Sequence, residues 1–360
     1  LQSYAGFGEV YYQVLPDVKV TAGIRWTDDR KSFDEIPSFA FLEGWGYPIV
    51  NVINQQWKEL TGRFNVDWSP KLSFTDQTLL YASYSRGYKG GGANPPPPAP
   101  DAFSLSSQSV THPLTFEPEF VNAYEAGTKN SLLDDTLTLN ASVFYYDYKN
   151  YQISQIVDRT SINLNFDAKV KGAELEANWE PVPGLRFNFS GGLEDSSVDD
   201  GQSAVDLMDR TAGHTDWVVV QPDVAATSNC ILPAHAVAEI AAYDAQVQSI
   251  QIANLPYACG AAYGNPAVAA AFGFSSIGDL GAPDFDPSTA PNNGAGFDKD
   301  LGGNELPNAP RFTVSAGAQF TAPVTSNWAA TLRGDFYWQD DSWARVFNDN
   351  PYDHLRGNTK

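Results

Sequence analysis

Charge is scarce in this sequence of 360 residues. Asp, Glu, Lys and Arg make up only 18% of it, little for a chain whose whole surface meets water. Basic residues are the scarcer half: 22 Lys and Arg stand against 43 Asp and Glu, a net charge of −21. Phosphate contact needs a basic face, so the balance argues against nucleic acid and favours a cationic, neutral or metal-bridged partner. Long hydrophobic runs are missing too: none approaches the roughly 18 residues of a membrane helix. No basic and apolar leader opens the chain, so no signal peptide is visible. The chain starts at Leu1 and is in strand pattern by Tyr4, as expected of the inner part of a longer protein. No phosphate loop, G-x-S-x-G elbow or paired-His zinc spacing is found. Cysteine is limited to Cys230 and Cys259. Such a pair suits a disulfide in an oxidising compartment, or else two unrelated buried thiols.

Aromatic residues, by contrast, are plentiful at 13%. Many segments alternate with period two, the mark of a strand between two environments. Val18, Val20, Ala22, Ile24 and Trp26 interleave with Lys19, Thr21, Gly23 and Arg25. Ala173, Leu175, Ala177 and Trp179 interleave with Glu174, Glu176 and Asn178. Phe312 to Phe320 does the same. Ten strands are expected near 2–14, 18–33, 58–69, 77–91, 119–131, 136–153, 163–180, 185–197, 309–322 and 328–341. Globular strands average about 5–6 residues, whereas these are longer than the roughly 9–11 that a tilted membrane strand needs. Aromatics cluster at their ends, as in Trp328 and Trp338. Connections alternate between short turns (15–17, 70–76, 132–135, 181–184, 323–327) and mostly long loops (34–57, 92–118, 198–308), with 154–162 modest. The expected fold is all-β: a transmembrane antiparallel β-barrel with its long loops outside the cell.

The stretch YASYSRGYKGGG from Tyr81 fits this scheme. Leu80, Ala82 and Tyr84 read as the lipid side and Tyr81, Ser83, Ser85, Gly87 and Lys89 as the lumen side. Arg86 falls on the outward parity at the outer rim, where a cation costs little. Arg25, Lys89, Lys129, Lys169, Lys171, Arg186 and Arg333 read as lumen cations.

Three blocks, YASYSRGYKGGGAN, FEPEFVNAYEAGTKNSLLDDTLTLNASVFYYDYKNYQIS and VKGAELEANWEPVPGLRFNFSGGL, resemble the barrel of TonB-dependent outer-membrane receptors. SYAGFGEVYYQVLPDVKVTAGIRWTDDRKSF and LPNAPRFTVSAGAQF fit the same pattern, in the family's order. The resemblance implies a barrel of roughly 22 strands with a plugged lumen, so residues 1–360 would be part of one, with the plug domain outside this chain. It implies a Gram-negative outer membrane, no enzymatic activity, and energy-coupled import of a scarce bulky ligand: a ferric chelate, an oligosaccharide or a cobalamin-like molecule. The implied partners are a TonB-type energy-transducing protein acting through the plug, outer-membrane lipid and lipopolysaccharide, the extracellular ligand, and a surface lipoprotein.

Residues 198–308 are far longer than a structureless loop, so a folded extracellular subdomain is expected there. It holds 14 acids and two cations, Arg210 and Lys299. Helical spacing is seen in PAHAVAEIAAYDAQVQSIQIAN, and PAVAAAFGF reads as a second short helix. A Cys230–Cys259 bond would clip about 30 residues together, a gain of roughly 3–4 kcal/mol. Asp284, Asp286 and Asp298, with Asp279 and Asp300, suit either calcium or a solvated acidic loop. Among His112, His214, His235 and His354, His214 stands near Asp209, Asp216 and Trp217. Exposed-side aromatics such as Trp45, Tyr47, Trp57, Trp217, Phe272, Phe274 and Trp343 suit ligand stacking or loop packing. The candidate ligand residues are Arg86, Tyr88, Lys89, Trp45, Trp217 and His214. Two other functions stay open: a passive porin or adhesion barrel, and an outer-membrane protease using Asp209, His214 and Asp216.

Overall fold

The computed structural model describes residues 1–35, 51–95, 113–157, 160–221, 229–247, 258, 284–286 and 289–360. The alternating segments form ten long strands: β1 (Gln2–Leu15), β2 (Val18–Glu35), β3 (Asn51–Trp68), β4 (Gln77–Lys89), β5 (Glu119–Leu132), β6 (Leu137–Val157), β7 (Thr160–Val182), β8 (Leu185–Val198), β9 (Phe312–Thr325) and β10 (Trp328–Gln339). They follow one another in chain order in a single antiparallel sheet. A two-residue strand, β11 (Asn358–Thr359), pairs with the end of β10.

Short connections lie at one end of the sheet, at 16–17, 69–76, 133–136, 183–184 and 326–327. The turn Val182–Pro183–Gly184–Leu185 shows why they are tight. Pro183 presets its own φ, and Gly184 takes a φ of +86°, which a side chain would oppose. At the other end β6 and β7 stay paired up to Val157 and Thr160, so the modest connection expected at 154–162 narrows to 158–159. Strand β3 starts seven residues earlier than the sequence suggested, because Asn51–Trp57 goes on pairing with β2.

Directly opposed residues share a face of a sheet, so the register shows the two faces. One, the outer face, carries rows such as Ala22–Phe64–Tyr84–Tyr124–Tyr145 and Val143–Ala173–Leu193–Phe312. Its large side chains are open to the surroundings, among them Ile24, Phe64, Val143, Leu175, Phe320 and Leu332. Aromatic rings mark both limits of this apolar band. Tyr84, Tyr124 and Tyr145 stand side by side, with ring centroids 5.1 and 6.3 Å apart, at the long-loop limit. Trp179 and Phe187, 5.8 Å apart, and Trp68, whose ring N–H donates to Asp17 at 2.9 Å, mark the turn limit. From Leu137 to Tyr145 the band spans about 25 Å along the strand, near the height of a bilayer core. The other, inner face is polar over the same height: Thr61, Arg63, Asn65, Ser83, Glu125, Asn140, Glu174, Asn188 and Gln319.

An arginine placed at Ala177, within the apolar band, should cost about 2–4 kcal/mol of folding stability in lipid, while one at the inner-facing neighbour Asn178 should cost under about 1. Urea midpoints of refolding into vesicles, read by gel mobility in the full-length protein, check this; equal costs would contradict the facing.

Candidate functional site

The site arises where the apolar phase of the sequence inverts. Below Gly172 in β7 the apolar residues are odd-numbered and face outward. Above it they are even-numbered: Ile162, Leu164, Phe166, Ala168 and Val170. Strand β7 keeps an unbroken register with β8 across this point, so the inversion moves hydrophobicity to the inner face. A bulge in β6 between Tyr148 and Tyr151, with Asn150 at φ +56°, shifts the register by one. Tyr148 and Tyr151 therefore both face inward, in edge contact at 5.2 Å, and Ile153 follows them.

That inner apolar wall is covered by the long connection. Phe166, Ala168, Val170 and Val198 form one core with Ala204, Leu301 and Leu306 of the connection and with Val346 and Phe347 beyond β10. A second core lies inside the connection, where Trp217–Val220 pairs with Cys230–Pro233 and helix α1 (Ala234–Val247) packs through Ala236 and Ile240. Cys230 is fully buried and disulfide-bonded; Cys259, the partner the sequence offers, lies outside the described residues.

An ion network pins the connection to the segment after β10. The Asp206 side chain is fully buried and accepts from Arg345 at 2.5 Å and from the Met208 N–H at 2.9 Å. Arg345 also donates to Asp353. Lys299 stands 3.5 Å from Asp206, 2.7 Å from Asp209, and pairs with Asp349. Burial alone would raise the Asp206 carboxyl. The Arg345 and Met208 hydrogen bonds, with the charges of Arg345 and Lys299, outweigh it and hold the group below the usual carboxylate range. Burial likewise opposes the charge on Arg345, but its two carboxylate partners raise it.

Two adjoining clefts of about 630 and 590 Å³ open between the wall and its cover, each within the ordinary range of ligand sites. Gln155, Leu164, Phe166, Ala204 and Leu207 line both. Gln155 bridges wall and cover by donating to the Val205 carbonyl at 3.3 Å.

The candidate residues fall into separate groups. At the end of β4, the Arg86 guanidinium lies 4.6 Å over Phe120 and donates to Asn122 at 3.2 Å; it faces outward, as expected. Tyr88 packs on the same Phe120 at 5.6 Å, and Lys89 stands 3.8 Å from Glu119. The glycine run then passes under the returning loop: a Cβ on Gly91 would lie 2.3 Å from the Phe116 carbonyl oxygen. His214 stacks on Phe297 at 3.8 Å and Trp217 meets that ring edge-on at 5.4 Å, so these two belong to the subdomain's packing. None of these five lines either cleft. Trp45, Tyr47, His112, Phe272, Phe274, Asp279 and the second helix lie outside the described residues. Asp284, Asp286 and Asp298 are exposed, and no cluster able to hold a metal forms among the described residues. Two expected lumen cations are corrected. Lys169 and Lys171 share the outward face with Asp147 and Tyr145, because they precede the phase change. They pair with Asp199 at 2.8 Å and Asp195 at 3.0 Å.

Sequence reasoning missed Asn94, Asp206, Gln155 and Arg345. Asn94 is buried and donates to the Pro113 and Asn163 carbonyls at 2.9 and 3.0 Å, closing the base of the glycine loop. A signal for the cleft was present in the parity switch at Gly172.

A family model described as TonB dependent receptor-like, beta-barrel, matches residues 1–226. The pesticin receptors of Yersinia enterocolitica and Yersinia pestis are 25% identical to this chain over 193 residues, 53% of it and 26% of their own length. The solved ferric yersiniabactin uptake receptor of Yersinia pestis superposes with a TM-score of 0.56 at 15% identity, over 99% of this chain and 36% of that one. A siderophore receptor of Acinetobacter baumannii gives 0.53 at 14% identity, over 99% and 35%. The chain thus spans about a quarter of its curated relatives and about a third of these solved receptors, whose likeness is one of fold.

Replacing Arg345 with alanine leaves the buried Asp206 with Lys299 as its one ion-pair partner among the described residues. The opening free energy of Ser203–Val205 and Asp298–Asp300, read by amide exchange, should fall by about 3 kcal/mol. Asp206→Asn, which keeps Arg345 on Asp353, should cost about 1 kcal/mol. A depressed carboxyl stabilises above its unfolded pKa, so protection should hold from neutral pH down to about 4 and be lost as pH falls further. Protection unchanged at pH 3 would contradict the network's role.

Proposed function

This chain belongs to the TonB-dependent receptor β-barrel family of the bacterial outer membrane, and from that membership we propose that it forms one sector of an importer of bulky metal chelates. The ligand binds from outside the cell in the clefts between the β6–β8 wall and the folded connection. A TonB-type protein then supplies the energy that draws it inward. The observation that carries this reading is the apolar inner wall above Gly172. A wall that only met water would be polar there, as it is lower down. Instead it carries Tyr151, Ile153, Leu164 and Phe166 beside open clefts of ligand size.

A protease is less well supported. Asp209 is bound to Lys299 at 2.7 Å and His214 is stacked flat on Phe297, so Asp209, His214 and Asp216 do not form a triad. A passive pore fits the polar inner wall but gives no use to a covered apolar one.

Cells carrying the intact receptor should take up radioactive iron from at least one ferric chelate, and lose that uptake both on gene deletion and on collapse of the proton gradient. Met208→Trp, a bulky ring on the exposed cleft wall, should lower uptake by about tenfold with surface display unchanged. Uptake that survives de-energisation for every chelate tested would sink the active-import reading.

A further inference from the structure

The clefts are nearly free of charge. Arg345 lines one, and Glu117 and Asp298 line the other. Arg345 is already met by Asp206 and Asp353, so its charge is answered from within the protein. Elsewhere the first cleft is walled by Tyr151, Ile153, Leu164, Phe166 and Met208, and the polar side chains of both clefts, such as Gln155, Asn163 and Asn308, are neutral. Recognition of an anionic oxygen depends on a guanidinium or ammonium that is free to pair with it. An anion entering here would lose its water, meet two carboxylates and gain no unpaired cation from the described lining residues.

We propose that this site selects for the charge of its chelate: it takes a neutral or cationic chelate with an apolar body, in which the metal cancels the charge of its donor atoms, and it rejects an anionic one. The inference rests on the reading of these clefts as the ligand site and narrows the class of ligand they accept. Shape is supplied by the aromatic and aliphatic wall, and orientation by amide donors such as Gln155. Selectivity against anions comes from the two carboxylates and from the internal use of Arg345.

The test uses three ferric complexes of one linear trihydroxamate, whose terminal amine is left free, acetylated or succinylated. The iron-binding body is the same in all three, and the complexes are cationic, neutral and anionic in turn. Binding to the purified intact receptor is read by calorimetry. The cationic and neutral complexes should bind about tenfold or more tighter than the anionic one. Met208→Lys, which adds an ammonium to the exposed wall, should bring the anionic complex to within about threefold of the neutral one. Equal or tighter binding of the anionic complex by the unaltered receptor overturns the proposal. So does binding of none of the three. The import reading is judged separately, by energised uptake, and survives either result if uptake persists.

Discussion

Hydrocarbon offers no hydrogen-bond partner, and most of this structure follows from that. A backbone crossing it must pair every N–H and C=O with itself, which helices or a closing sheet can do. The described chain has no helix long and apolar enough to cross a membrane, and its long elements are strands. Their pairing in chain order removes internal edges, and period-two alternation gives each strand one apolar side. Rings that tolerate both water and lipid collect at the two limits of the band, where Trp68 anchors its N–H on Asp17 and three tyrosines stand in a row.

Above the band the constraint is lifted, and the same strands use the opposite rule. The outward parity of β6 and β7 turns to Asp147, Asp167, Lys149 and Lys169, where Lys149 pairs with both acids and Lys169 with Asp199. The inward parity becomes apolar and acquires a cover. Burial of Leu301, Leu306, Val346 and Phe347 against it drives the connection onto the wall. The buried Asp206 fixes the registration, since a displaced cover would leave its charge without Arg345. Fold and site are thus two phases of one pattern, joined at Gly172.

The strands were legible in the sequence because alternation is local: nine of ten begin within three residues of the expected places, and the short turns sit close to where they were expected. The limits of β3, β6 and β7 were not, since nothing in a single strand tells where pairing with its neighbour stops. The outward position of Arg86 was readable from parity. Lys169 and Lys171 were misplaced because membership of the polar phase was equated with the lumen, a rule that holds only below Gly172. The bulge at Asn150 left no mark beyond that asparagine itself. Asp206 and Arg345 are 139 residues apart, and no periodicity links them. Aromatic and basic side chains drew attention in the loops, yet Trp217 and Arg86 are engaged in packing, and the cleft is lined by aliphatic and aromatic side chains of two strands.

The inversion at Gly172 can be tested directly by placing a spin label at each residue from Ile162 to Trp179 in the intact receptor in vesicles and measuring its collisions with oxygen and with a water-soluble nickel chelate. The account predicts oxygen exposure at odd positions from Ala173 to Trp179 and nickel exposure at the even ones between. Above Gly172 it predicts nickel exposure at the odd positions and shielding from both reagents at Ala168 and Val170, which are buried under the cover and line neither cleft. Oxygen exposure continuing at odd positions up to Asn163, with the even ones open to nickel, would contradict it.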